Sequence, residues 1–201
     1  MDYLYNNSFK TISMDEFNKW YKGEIEFSSK TLMITFDDGQ YEDYYLAYPI
    51  IKKYNFKATS FITGSLTSNK TKEYNKTEKN FIGLDIINKV RKQYPNFEFQ
   101  SHSYNMHIKI NNKPKIFLMN LKELEADIQN NRKFHFSYFA YPYGSYNDNI
   151  IDLLYKHNYS LAFIFTEKQR ASRNNNRFLI PRIKISGEYT LNKLKRILLY
   201  T

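Results

Sequence analysis

The hydrophobic pattern alternates between short runs typical of buried strands and longer segments with helical spacing. The strand-like runs are 31–36, 58–63, 97–101, 136–141, 159–166 and 178–185. The segments with helical spacing are 14–20, 41–54, 81–94, 114–132, 147–157 and 190–199. Strands that alternate with helices favour a parallel α/β sheet or barrel.

Local signals mark the ends of several elements. Ser13 is a candidate N-cap for helix 14–20, with Glu16 three residues further on. Pro114 is placed in the first turn of helix 114–132. One face of that helix is expected to carry Leu118, Leu121, Leu124 and Ile128. The polar stretches 64–80 and 170–177 are interpreted as surface loops.

The length of 201 residues fits one domain, 1–201, with residues 1–30 as an extension packed on it. Hydrophobic residues make up 42% of the chain and charged residues 25%, which argues against a disordered protein. The absence of cysteine excludes disulfides and thiolate metal sites. No run approaches the ~18–20 apolar residues of a transmembrane helix. Residues 1–30 lack the features of a signal peptide, so an intracellular location and a chain that starts after its targeting segment both stay open.

The chain is basic, since 30 Lys and Arg minus 20 Asp and Glu gives +10. Such a charge favours anionic partners such as nucleic acid or phosphate-rich wall polymers. The lysines are nevertheless scattered, without a block of five or six. We interpret the charge as a compositional bias and predict no nucleic-acid partner.

Polar residues follow three of the predicted strands, where chemistry is located in parallel α/β folds. Asp37, Asp38 and Gly39 follow strand 31–36, and the sequence Tyr-Pro-Tyr-Gly ends at residue 144 after the fourth strand. His102 and His107 follow strand 97–101. One carboxylate and two imidazoles make a three-ligand set for a divalent ion, and the second carboxylate could act as a general base.

Other interpretations of these residues stay open. An Asp-Asp-Gly sequence is also common in solvated turns. A spacing of five does not bring His102 and His107 together on a regular helix or strand, so convergence needs a turn. Two histidines and a carboxylate can also hold Fe(II) for oxygen chemistry, although the spare aspartate favours hydrolysis. His135 and His157 are interpreted as structural.

Three segments resemble known motifs. TFDDG at 35–39, SHSYNMH at 101–107 and FAYPYG at 139–144 are similar to the first three motifs of polysaccharide deacetylases of the NodB-homology type, carbohydrate esterase family 4. The His-Ser-x-x-x-His spacing is most similar to the branch that deacetylates poly-β-1,6-N-acetylglucosamine, a biofilm exopolysaccharide. The resemblance extends over about residues 31–185.

This resemblance implies a fold and a set of roles. The fold is a distorted (β/α) barrel of seven or eight mostly parallel strands. Asp38, His102 and His107 would bind a divalent metal, usually Zn²⁺ and sometimes Co²⁺, Ni²⁺ or Fe²⁺. Asp37 would be the general base, and the backbone N–H of Tyr143 would stabilise the oxyanion.

The sequence also departs from the family pattern. Many members have an arginine in the third motif that orients the base, and Ala140 stands at that position here. Arg182, in the last predicted strand, is the candidate substitute. The family's last motif normally supplies a histidine as general acid, but no histidine follows His157, and the general acid is therefore unassigned.

The resemblance implies a metal-dependent hydrolase that removes N-acetyl groups from an N-acetylglucosamine-containing polysaccharide, in particular poly-β-1,6-N-acetylglucosamine. A catalytically weak or inactive sugar-binding member is one alternative, and a deacetylase of another wall glycan or a small amide is a second. The family places such an enzyme outside the cell or in its envelope, and the sequence does not fix the oligomeric state. The side chains expected to stack on sugar rings are those of Tyr41, Tyr104, Tyr141 and Tyr143.

Overall fold

The computed structural model describes residues 1–72 and 77–200, so residues 73–76 of the predicted loop 64–80 lie outside the described part of the chain. The strands, in chain order, are β1 (Lys10–Thr11), β2 (Thr31–Leu32), β3 (Thr35–Phe36), β4 (Ala58–Ile62), β5 (Phe97–Ser101), β6 (Lys109–Ile110), β7 (Lys113–Pro114), β8 (Tyr138–Ala140), β9 (Leu161–Thr166) and β10 (Ile180–Ile183). The helices are α1 (Asp2–Asn6), α2 (Met14–Tyr21), α3 (Tyr48–Lys53), α4 (Leu84–Gln93), α5 (Leu121–Asn131), α6 (Asp148–Lys156) and α7 (Leu191–Tyr200).

The main sheet contains six parallel strands in the order β10-β9-β8-β5-β4-β3. Its strands curve into a half-barrel with helices on the outside, which confirms the expected distorted (β/α) barrel. Because all six strands run the same way, their carboxyl ends lie at one rim of the barrel. β1 and β2 form a separate parallel pair, and β6 and β7 form a short antiparallel hairpin.

The predicted single strand 31–36 is wrong, since the segment is divided into two short strands with different partners. Thr31–Leu32 pairs with β1, and Thr35–Phe36 pairs with β4. Between them the carbonyl of Ile34 accepts a hydrogen bond from the Thr59 N–H. The chain therefore changes neighbours midway, which the continuous apolar run does not reveal.

The helix predicted over 41–54 is confirmed over 41–53, but its hydrogen bonding changes along its length. Asp43–Ala47 forms a wide π-type turn, and α3 continues from Tyr48. Ala47 and Tyr48 both have helical backbone angles, so the two parts form one continuous helix. Pro49 lies directly after the π-type part, in the first turn of α3.

The helix predicted over 114–132 begins at Leu121 instead of Pro114. Pro114 belongs to β7, and a capping box formed by Asn120 and Glu123 starts α5. Of the four apolar residues expected on one face, Leu124 and Ile128 are buried, whereas Leu118 and Leu121 precede or begin the helix and are exposed. The cap of α2, by contrast, is the predicted one, with a complete capping box between Ser13 and Glu16.

The N-terminal helix α2 packs against the inside of the barrel. Met14 and Phe17 share a buried cluster with Phe61, Phe163 and Ile180 of the sheet. Full burial of a side chain of this size contributes roughly 1.5–3 kcal/mol to stability. Met14 and Phe17 therefore fill part of the interior of the half-barrel. None of the helices in the described part of the chain is long and apolar enough to cross a bilayer.

Candidate active site

The predicted site residues converge at the rim formed by the carboxyl ends of the strands. Asp37 and Asp38 follow β3, and His102 follows β5. Arg182 lies within β10. The turn with Tyr143 follows β8.

Two consecutive left-handed residues turn the chain sharply after β3. Asp38 has φ +79° and Gly39 has φ +69°. A Cβ at Gly39 would lie 2.7 Å from Cγ2 and 3.1 Å from the backbone Cα of Ile62, so only glycine fits there. Aspartate is among the few other residues that tolerate the left-handed region. This turn is what directs the Asp38 carboxylate toward the two histidines.

His102 is anchored on both sides by neighbouring strands. Its backbone N–H donates to the carbonyl of Ile62 at 2.8 Å, and its ring Nδ1 lies 2.8 Å from the carbonyl of Ala140. That carbonyl can only accept, so Nδ1 carries the proton and Nε2 is left with a free lone pair. The Nε2 atom lies 3.5 Å from Oδ1 of Asp38. His102 is thus held in the tautomer that a metal ligand requires.

His107 reaches the same carboxylate oxygen from the far end of its loop. Its Nδ1 lies 3.2 Å from Oδ1 of Asp38. One candidate ligand atom each from Asp38, His102 and His107 lies within 4.8 Å of the others. The other oxygen of Asp38, Oδ2, accepts a hydrogen bond from the Gln40 side chain at 3.1 Å. The structure therefore brings together the three residues that the sequence proposed as ligands.

The site favours the protonation states that metal ligands need. Burial opposes ionisation of Asp38, but its interactions with His102, His107 and Gln40 hold its pKa below the usual value. Burial and the neighbouring His102 lower the pKa of His107, against the opposite effect of Asp38 and Asp37. An ionised carboxylate beside neutral imidazole is the result.

Asp37 lies beside the triad and binds Arg182. The guanidinium donates from Nη1 to Oδ1 at 2.7 Å and from Nη2 to Oδ2 at 2.9 Å. The Arg182 Nη1 also donates to Oγ1 of Thr35 at 3.1 Å. Burial raises the pKa of Asp37, but Arg182 and the two histidines outweigh it and hold the pKa at about 2. The carboxylate is therefore ionised throughout the neutral range.

Tyr143 lies at the centre of a tight turn beside the histidines. It has φ +59°. Its ring stacks on the His107 ring with 4.4 Å between centroids, and the Lys109 ammonium lies 4.8 Å from the Tyr143 centroid. The backbone N–H of Tyr143 stays the proposed oxyanion donor.

Some expectations about the surrounding residues are wrong, and others agree with the structure. Tyr141 is fully buried between Phe139 and Tyr146, so it cannot stack on a sugar. His157 follows the last turn of α6, where its Nε2 lies 3.1 Å from Glu125, and His135 is exposed at the end of a short turn. Neither histidine belongs to the triad, in agreement with their structural interpretation.

Sequence reasoning missed a buried acid behind the site, Asp43. The Ser60 hydroxyl donates to Asp43 Oδ2 at 2.7 Å. Burial and the charges of Asp37 and Asp38 together raise the pKa of Asp43 to about 7, against the effect of the Ser60 bond. No pattern in the sequence indicated this, since Asp43 lies in a tyrosine-rich segment that reads as a surface helix.

The residues present fit a divalent metal. The donor set is one carboxylate and two imidazole nitrogens, and hydrogen bonds to Gln40 and Ala140 orient Asp38 and His102 from behind. Three protein ligands leave room for a water or a substrate oxygen.

Comparison with known proteins points to one family. A family profile described as polysaccharide deacetylase matches residues 24–162. The chain is 32% identical, over 96% of its length and 67% of the relative's, to a poly-β-1,6-N-acetyl-D-glucosamine N-deacetylase of Staphylococcus aureus. A putative polysaccharide deacetylase of Bacillus subtilis, YxkH, is 26% identical over 92% of this chain and 62% of its own length.

Solved structures share the fold. The deacetylase PplD of Streptococcus pyogenes superposes with a TM-score of 0.77 at 22% identity, covering 97% of this chain and 82% of its own. IcaB of Ammonifex degensii superposes with a TM-score of 0.76 at 19% identity, covering 98% and 85%. Members of this family are metal-dependent, and the triad described above is a possible metal site. The chain therefore belongs to the polysaccharide deacetylase family.

Proposed function

We propose that this protein is a metal-dependent N-deacetylase of poly-β-1,6-N-acetylglucosamine. The convergence of Asp38, His102 and His107, with Asp37 and Arg182 directly beside them, is the observation that carries the proposal. The name of the Staphylococcus aureus relative supports the choice of polymer. Since that polymer is an exopolysaccharide, we also propose that the enzyme acts outside the cell or in the cell envelope.

Asp38, His102 and His107 would hold the metal, with Zn²⁺ as the first choice for a site of two nitrogens and a carboxylate. Co²⁺, Ni²⁺ and Fe²⁺ are the other candidates. When bound, such an ion polarises an acetamide carbonyl and makes water a stronger acid.

The remaining steps fall to side chains of this protein. Asp37, ionised at neutral pH, accepts a proton from the attacking water, and Arg182 fixes the direction of its lone pairs. The water oxygen bonds to the acetamide carbon, and the Tyr143 N–H donates to the oxyanion. The C–N bond then breaks, acetate leaves, and the sugar nitrogen takes up a proton. A preorganised donor such as this N–H contributes about 3–4 kcal/mol.

The test is acetate release by the purified, metal-loaded protein from β-1,6-linked and β-1,4-linked N-acetylglucosamine oligomers of equal length. We expect release from the β-1,6 series and little from the β-1,4 series. Equal or reversed rates would overturn the proposed polymer while leaving the chemistry intact. No release from any glycan with metal bound would overturn the chemistry.

A second candidate function is glycan binding with little or no catalysis. The observation that favours it is that the general acid is unassigned. No histidine follows His157, and neither His135 nor His157 belongs to the site. This candidate predicts retention of the β-1,6 oligomer on immobilised protein without acetate release. The acetate assay and the binding assay together separate the two functions.

A further inference from the structure

The loop between His102 and His107 must be bent for the two imidazole rings to meet. A spacing of five brings the two rings together in neither a helix nor a strand, so the chain between them must be held in a bend. Ser103 has φ +66°, and its hydroxyl accepts from the Met106 N–H at 3.0 Å. These local contacts shape the bend, but they do not fix it relative to the sheet.

A buried carboxylate on α5 holds the outer part of this bend. Asp127 Oδ1 accepts from the backbone N–H of Tyr104 at 2.7 Å, and its Oδ2 accepts from the N–H of Asn105 at 2.7 Å. Asp127 is only 4% exposed. Hydrogen bonds from two backbone donors to one ionised group are short and strong. Each oxygen therefore fixes one peptide of the bend.

Further contacts hold the same loop on its other sides. The carbonyls of Ser103 and Tyr104 accept from the N–H groups of Gly64 at 3.0 Å and Ser65 at 2.8 Å. The Lys115 ammonium donates to the carbonyl of Asn105 at 3.0 Å. These bonds tie the loop to the turn after β4 and to the segment before α5, and Asp127 supplies the acceptors for the N–H groups of Tyr104 and Asn105.

The apolar part of α5 contributes packing but no acceptor. Met106 is buried in one cluster with Leu124 and Ile128 of that helix. The helix thus contacts the loop in two separable ways, through Asp127 and through these side chains. Burial raises the pKa of Asp127 to about 6, against the backbone hydrogen bonds and the charge of Lys115, so the group is ionised above neutrality.

We propose that Asp127 is a positioning residue for the metal site: its carboxylate holds the backbone of Tyr104 and Asn105 so that His102 and His107 face Asp38 together. The inference rests on the proposed metal site but not on the identity of the polymer. Asp127 touches neither metal ligand side chain, and its effect passes through the peptide backbone.

The test compares metal affinity with stability in matched variants. Asp127→Asn keeps the size but turns an NH₂ group toward one of the two backbone donors. We expect the dissociation constant for Zn²⁺, measured by competition with a chromophoric chelator, to rise about 10–100-fold, as is usual for groups that orient metal ligands. Asp152→Asn, in the exposed part of α6, is the matched control and is expected to bind as the wild type does.

Leu124→Ala separates positioning from general loosening of the fold. It removes packing under the loop but leaves both acceptors, so we expect a lower Tm of the metal-free protein with a much smaller change in Zn²⁺ affinity. Asp127→Asn is expected to show the reverse ranking. Equal Zn²⁺ affinity in folded Asp127→Asn and in wild type overturns the inference, whereas a wild type that binds no metal overturns the proposed function instead.

Hydrogen exchange of the wild type gives a measurement that does not depend on the variant folding. The Tyr104 and Asn105 amide protons are expected to exchange at least about 100-fold more slowly than those of the exposed turn at Asn111 and Asn112. Exchange at the rate of that turn would show that the carboxylate does not hold the loop.

Discussion

Arg182 binds Asp37 through two parallel hydrogen bonds of 2.7 and 2.9 Å, although 145 residues separate them in the sequence. Asp37 follows β3 at one edge of the six-stranded sheet, and Arg182 belongs to β10 at the other edge. The pair, together with the bond from Arg182 to Thr35, joins the two edge strands of the half-barrel at the rim. One guanidinium thus orients the proposed base and joins the ends of the sheet.

Replacement of Arg182 by lysine is expected to lower kcat/KM for acetate release by ~10–100-fold, since an ammonium cannot make two parallel bonds to one carboxylate. Arg182→Met removes the charge that holds down the pKa of Asp37, so the acidic limb of the pH–rate profile should move to higher pH. Arg170→Lys, at an exposed arginine, is the control. Unchanged kcat/KM in Arg182→Lys would remove Arg182 from the proposed machinery.

Loss of one triad ligand is expected to abolish metal retention. Groups that only orient ligands change affinity by ~10–100-fold, so removal of the ligand in Asp38→Asn or His107→Ala should weaken binding by more than ~100-fold. Metal content after dialysis, measured by mass spectrometry, checks this directly. His135→Ala is the matched histidine control because His135 is exposed and outside the triad.

Chelation supplies an independent check of the same site. A ligand that binds only the folded state raises the apparent stability, so EDTA should lower the Tm of the wild type. The same chelator should leave the Tm of Asp38→Asn unchanged. An equal drop in both proteins would place the bound metal somewhere other than at Asp38.

The sequence was sufficient to predict those site residues that directly follow a strand. Asp37 and His102 directly follow strands, and the carboxyl ends of parallel strands share a rim, so their convergence could be predicted without a structure. Arg182 could be proposed because a resemblance to a family marked its place. The alternation of patterns was also sufficient for the fold class.

The sequence was uninformative where burial depends on distant neighbours. Asp43 and Asp127 lie in segments with helical spacing, where a carboxylate normally indicates the solvated face, yet both are buried. Their partners, Ser60 and the 104–105 backbone, come from other elements. The change of neighbours within 31–36 has the same origin, since strand pairing is decided by tertiary contacts.

Asp43 predicts a pH dependence of stability. Its pKa is about 7 in the folded protein against a usual value of 3.8, so between these values the folded state binds more protons than the unfolded state. The free energy of unfolding therefore falls as pH rises through this window. Asp43→Asn keeps an oxygen that can accept from Ser60 and cannot ionise. Between pH 5 and pH 8, the stability of this variant relative to wild type should increase by ~1–3 kcal/mol.

Urea unfolding of the metal-free proteins in a chelating buffer measures this difference. Asp152→Asn serves as the control because its carboxylate is exposed. A stability difference between Asp43→Asn and wild type that stays constant from pH 5 to pH 8 would show that Asp43 does not titrate in this range.

Gly39, in the turn after β3, is subject to two constraints, a left-handed backbone and the close approach of Ile62, and two other glycines allow their effects to be measured separately. Gly39 has φ +69° and a Cβ position 2.7 Å from Ile62, Gly23 has φ +79° with open space around it, and Gly187 has neither constraint. We expect Gly39→Ala to lower the free energy of unfolding by more than ~2 kcal/mol, Gly23→Ala by ~1 kcal/mol, and Gly187→Ala by less than ~0.5 kcal/mol. Because the same turn directs Asp38, Gly39→Ala should also weaken metal binding, whereas the other two variants should bind as the wild type does. Equal losses of stability in Gly39→Ala and Gly23→Ala would mean that Ile62 moves aside and that backbone conformation alone requires the glycine.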